Sequence, residues 1–90
     1  MNTSGKYIED VTAYPQAELH VDAMGLQCPL PVLKLQKALR GLKPGDLASL
    51  AATDPASRID VPHFCNQSGH TLIASSEADG VFNYLVECGS

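Results

Sequence analysis

Apolar residues recur at steps of three or four between positions 31 and 42, the strongest periodic signal in the chain. Val32, Leu35, Leu39 and Leu42 form a stripe that Leu33 and Ala38 widen, while Lys34, Lys37 and Arg40 lie along another side. This pattern predicts an amphipathic helix. Upstream, residues 18–22 alternate, placing Leu19 and Val21 on one face of a half-buried strand and Glu18, His20 and Asp22 on the other. Lys43-Pro44-Gly45-Asp46 has the composition of a turn and precedes an apolar run, 47–53, that reads as a buried strand. Asp54-Pro55 pairs a capping residue with a proline, but Pro62 conflicts with one continuous helix. The expectation is an initial turn over 55–58, then a short helix over 60–68. Asp60 would cap that helix, Gly69 would stop it, and Ile59, Val61, Phe64 and Cys65 would face the core. Residues 71–77 and 81–87 read as strands joined by Ala78-Asp79-Gly80, where Asp-Gly signals a hairpin.

The order is β-α-β-α-β-β. A right-handed crossover makes the first two strands parallel, and both helices return to one face. The predicted fold is a two-layer α/β sandwich with a mixed four-stranded sheet. Ninety residues support one domain. Positions 1–16, with Asn2, Thr3, Ser4, Gly5 and Pro15, lack periodicity and read as a flexible arm, leaving 17–90 as the domain.

Composition narrows the class. Apolar residues make up 44% of the chain and charged ones 18%, values of a globular rather than a disordered protein. No apolar run approaches the roughly 20 residues of a membrane span, and the first 16 residues do not resemble a signal peptide, so a cytoplasmic location is expected. Cys28, Cys65 and Cys88 cannot all pair within the chain, which fits reduced thiols. Net charge is −4 but unevenly placed. Positions 23–45 hold Lys34, Lys37, Arg40 and Lys43 with no acid, whereas the rest holds all ten acids against Lys6 and Arg58, giving +4 and −8. Such a field could make the helix a docking face through Lys34, Lys37 and Arg40, or it could simply be a solvated surface.

Cys28 is the first candidate for chemistry. Proline is favoured at the first helical position, so Pro29 marks the helix start and Cys28 its cap. A thiol there would feel the positive end of the helix dipole and ionise more readily. It would also lie at the rim of the sheet, within reach of another protein. The alternative is a cysteine used as a small apolar filler. Other chemistries find less support. His63-x-Cys65, His70, Cys88 and His20 lack the Cys-x2-Cys pairing of structural zinc sites, so no metal is expected; Cys65 fits the inner stripe, and Cys88 reads as a strand-end residue. A hydrolase would need a base beside Cys28, and none is evident because His20 points to solvent. No glycine-rich phosphate loop is present.

Leu26-Gln27-Cys28-Pro29-Leu30-Pro31-Val32, followed by Leu42-Lys43-Pro44-Gly45-Asp46, Thr53-Asp54-Pro55, Val61-Pro62-His63-Phe64-Cys65 and Gly69-His70, resembles the TusA/SirA-like sulfur-carrier family from about residue 19 to 87. The resemblance implies the same sandwich, no cofactor, and a persulfide-carrying role for Cys28, with Pro29 and Pro31 supporting the site as helix-start geometry. It implies a sulfur donor such as a cysteine desulfurase or rhodanese, and a thiol-bearing acceptor protein. In one branch the sulfur ends in tRNA 2-thiouridine; others serve sulfur oxidation, thiosulfate assimilation, molybdenum cofactor supply or selenium metabolism. Leu30 stands where some tRNA-thiolating members carry an acid. The competing class is a non-catalytic module that binds protein or RNA through the basic helix 30–43. Direct nucleic-acid binding is disfavoured by a pI near 5.1 and by the lack of an aromatic series beyond Phe82 and Tyr84.

Overall fold

A computed structural model describes residues 14–89. The elements are β1 (Leu19–Ala23), α1 (Leu30–Leu39), β2 (Leu47–Ala52), α2 (Ser57–Ser68), β3 (Thr71–Ala78) and β4 (Val81–Glu87). The sheet runs β1-β2-β4-β3, with β1 and β2 parallel and β4 antiparallel to both of its neighbours. The two-layer α/β sandwich with a mixed sheet is therefore the observed architecture.

Period-two alternation decides what each strand buries. Val21 and Ala23, Ala48 and Leu50, and Phe82, Tyr84 and Val86 point to one face and meet Leu35 and Leu39 of α1 and Val61, Phe64 and Cys65 of α2. Leu35, Leu50, Val61 and Val86 are almost wholly enclosed, and truncating either leucine to alanine would cost about 2–5 kcal/mol. Ser49, Ala51, Asn83 and Leu85 of the central strands are buried on the opposite face. There Tyr14 Oη donates to Ser76 Oγ of β3 at 3.3 Å, at the sheet edge opposite β1, whose ladder with β2 begins at the bond from Glu18 N–H to Leu47 O at 2.8 Å. The segment entering β1 thus lies across the outer face; positions 1–13 of the expected arm fall outside the described residues. Asp79 and Gly80 adopt φ of 53° and 80°, the left-handed pair that a two-residue hairpin requires.

Three expectations are corrected. Helix α1 starts at Leu30, with Pro29 as its cap and Pro31 inside the first turn, so Cys28 lies just before the cap rather than on it. Both prolines occupy positions whose N–H would have no intrahelical partner. Second, α2 is one helix through Pro62, not a turn followed by a helix. Ser57, Arg58 and Ile59 donate to Asp54 O, Pro55 O and Ala56 O, and Asp60 N–H then takes Ala56 O at 2.9 Å, so the tight turn winds directly into the helix. Pro62 falls on the exposed side while Ser57, Val61, Phe64 and Cys65 form the buried stripe, and packing of that stripe overrides the missing hydrogen bond. The same register turns Ile59 outward, 75% exposed, against the expectation that it faces the core.

Candidate functional site

Parallel strands end at the same rim, so the loops after β1 and β2 meet. Gly25, at φ 81°, turns the chain out of β1, and its N–H donates to Thr53 Oγ1 at 2.9 Å. Asp54 then holds two segments at once: Oδ2 accepts Cys28 N–H at 2.6 Å, and Oδ1 accepts Ala56 N–H at 3.1 Å at the entry to α2. Cys28 is exposed, and its Sγ–H donates to Asp60 Oδ2 in the first turns of α2. Beside it lies a hollow of about 320 Å³ whose further walls are Pro29, Val32, His63, Phe64 and Gln67.

The electrostatics run opposite to the sequence expectation. The Cys28 thiol is pushed above its ordinary value, first because its proton is hydrogen-bonded to Asp60, then by partial desolvation and by the negative charges of Asp60 and Asp54. Ionisation would forfeit the hydrogen bond and set an anion beside two carboxylates. Both effects oppose the dipole of α1, whose cap is the next residue along. Cys28 is thus an exposed thiol whose proton is directed at a carboxylate.

The other candidates separate. Lys34 Nζ donates to Asp22 O at 2.5 Å and, with Lys37, borders a groove against β1 formed by Leu19, His20 and Val21. Arg40 lies on another side, near Phe64 and His70. The three bases border different hollows, and none lines the Cys28 hollow. His20 is on the outer face as expected, where Nδ1 and Ser49 Oγ are 2.6 Å apart. Cys65 is in the core, and burial pushes its thiol up to about 11. Cys88 is also buried, with Sγ 3.7 Å from Leu39 O and 3.8 Å from Leu42 O. His70 accepts Gly89 N–H at 3.0 Å in the link between α2 and β3. Among the described residues, no three His, Cys, Asp or Glu side chains cluster to hold a metal, and no helix is long and apolar enough to cross a membrane.

Residues 19–88 match the family model described as "Sulfurtransferase TusA". The chain belongs to the TusA family. A TusA of Pseudomonas putida strain F1, named as a sulfur carrier protein, is 46% identical over 66 residues, covering 73% of this chain and 82% of that protein. A protein of Neisseria meningitidis serogroup A, provisionally named a sulfur carrier, is 45% identical over 67 residues, or 74% and 90% of the two chains. The crystal structure of a SirA-like protein from Desulfitobacterium hafniense superposes with a TM-score of 0.68 at 28% identity, covering 78% of this chain and 96% of the other. In this TusA-family chain, reasoning from sequence missed Asp54 and Asp60 as neighbours of Cys28, reading both only as helix caps. Topology held the available signal: two parallel strands, each followed by a loop and a helix, must bring Cys28 and Asp54 to one rim.

Proposed function

We propose that this chain is a sulfur carrier that accepts sulfur as a persulfide on Cys28 and relays it to a thiol on an acceptor protein. What carries the reading is an exposed cysteine in a Cys-Pro-x-Pro run, beside a shallow hollow rather than a deep substrate cavity, in a TusA-family chain. The chemistry is an exchange of the disulfide type and needs no cofactor, which makes the chain a sulfurtransferase in the sense of its family's name. Exposed apolar side chains lie on the segments that carry the site: Met24 in the loop, Leu30 and Leu33 on α1, and Ile59 next to Asp60. They suit a protein partner, such as a cysteine desulfurase or rhodanese as donor. The pathway served could be tRNA 2-thiouridine synthesis or another sulfur-trafficking route, and reduced free thiols suit the cytoplasm. Phe82 and Tyr84 face the helices in the core, so they offer no platform for stacked bases, which weakens the RNA-module alternative.

The test is intact mass after incubation with a cysteine desulfurase and cysteine, or with thiosulfate. The expected result is a reductant-sensitive gain of about one sulfur atom in the wild type and none in Cys28→Ser. No gain from either donor would return the chain to the reading of a binding module.

A further inference from the structure

A persulfide carrier needs a nucleophilic sulfur, yet here the Cys28 proton is held by a carboxylate. We propose that Asp60 is the proton-transfer residue of the exchange, taking the Cys28 Sγ–H proton as the sulfur attacks and passing it to the departing donor thiolate. This inference rests on the persulfide reading and adds the residue that makes a protonated Cys28 competent.

Geometry selects Asp60 among the titratable groups that face Cys28. These are Asp54 from the loop after β2 and Asp60 and His63 from α2. Both carboxylate oxygens of Asp54 are already engaged by backbone N–H groups, of Cys28 and of Ala56. Asp60 Oδ2 instead accepts directly from Sγ–H, so the base is within reach of the proton it must remove. Its backbone is fixed as well, through the bond from its N–H to Ala56 O and the fully buried Val61 that follows.

The step balances. A new S–S bond forms between Cys28 Sγ and the terminal sulfur of the donor persulfide, and the donor's own S–S bond breaks with its electron pair staying on the donor sulfur. The Cys28 proton moves to Asp60 and then to the donor thiolate, while the terminal sulfur keeps its own hydrogen. Donor–S–SH and Cys28–SH become donor–SH and Cys28–S–SH, with no external oxidant. The free protein, lacking a partner to react with, keeps its thiol capped by a proton.

Asp60→Asn tests this because it preserves shape and removes the base. Alkylation of Cys28 by iodoacetamide at pH 7 is expected to rise about threefold or more, since the thiolate is no longer opposed by a carboxylate. Sulfur uptake from glutathione persulfide, followed by intact mass in about 1 M salt where screening acts within about 3 Å, is expected to fall about a hundredfold. Asp60→Glu should recover part of that uptake. A structural role alone does not drive the two rates in opposite directions. Uptake that rises together with alkylation, or that stays at the wild-type rate, would overturn the role of Asp60 while leaving the carrier reading intact. A wild type that takes up no sulfur at all overturns both.

Discussion

The hydroxyls of Ser57 and Tyr84 lie 2.8 Å apart inside the core, joining the first turn of α2 to the central strand β4. Ser57→Ala would leave the buried Tyr84 hydroxyl without this partner, and the expected cost is about 1–3 kcal/mol in urea unfolding. Removing both hydroxyls, with Ser57→Ala and Tyr84→Phe together, should cost less than the sum of the single changes, because the second substitution removes the stranded group. Additive losses would show that the hydroxyls do not act as a pair. Single residues differ in how much of this the sequence discloses. Cys28 announces itself through the prolines beside it, since Pro29 and Pro31 constrain the chain locally. Asp54 and Asp60 do not, because they reach Cys28 across 26 and 32 positions and each has an adequate local reading as a helix cap. For the same reason the sign of the Cys28 shift was illegible: a local argument sees the helix dipole, whereas the deciding carboxylates arrive through the tertiary fold.

At the scale of elements, α1 and all four strands were predicted to within a few residues: α1 and β1 by the period of their apolar positions, β2 by an apolar run that is buried on both faces, and β3 and β4 by the Asp-Gly hairpin between them. Helix α2 was read less well. Its buried stripe of Ser57, Val61, Phe64 and Cys65 includes a serine that gives no hydrophobic signal, and Pro62 interrupts the pattern with a breaker. The helix tolerates that proline on its exposed side. Pro62→Ala would restore an N–H and a better helix former, partly offset by the greater freedom of the unfolded chain. The expected gain is about 2 kcal/mol in urea unfolding. Equal or lower stability in Pro62→Ala would mean that the ring contributes packing that outweighs the lost bond. Gly69 at the other end has φ of 79°, a left-handed conformation that the sequence pattern anticipated when it marked this glycine as the stop.

Across the whole molecule, charge and chemistry are placed on different faces of one helix. Cys28 precedes α1 and sits beside two carboxylates, while Lys34 and Lys37 border the groove along β1 and do not line the Cys28 hollow. Any help these lysines give to sulfur exchange therefore acts at long range, by drawing an acidic donor toward the α1 side before the sulfurs meet. Their charge matters most because the remainder of the chain is strongly acidic and would repel such a donor. Replacing Lys34 and Lys37 together with glutamate should slow sulfur acceptance from a cysteine desulfurase on the order of tenfold at low ionic strength. The loss should appear in the encounter rate, leave the alkylation rate of Cys28 unchanged, and shrink as salt shortens the screening length toward about 3 Å near 1 M. A defect that persists at high salt would point to direct contact with the donor, and unchanged kinetics at low salt would reduce the basic stripe to a solvated helix face.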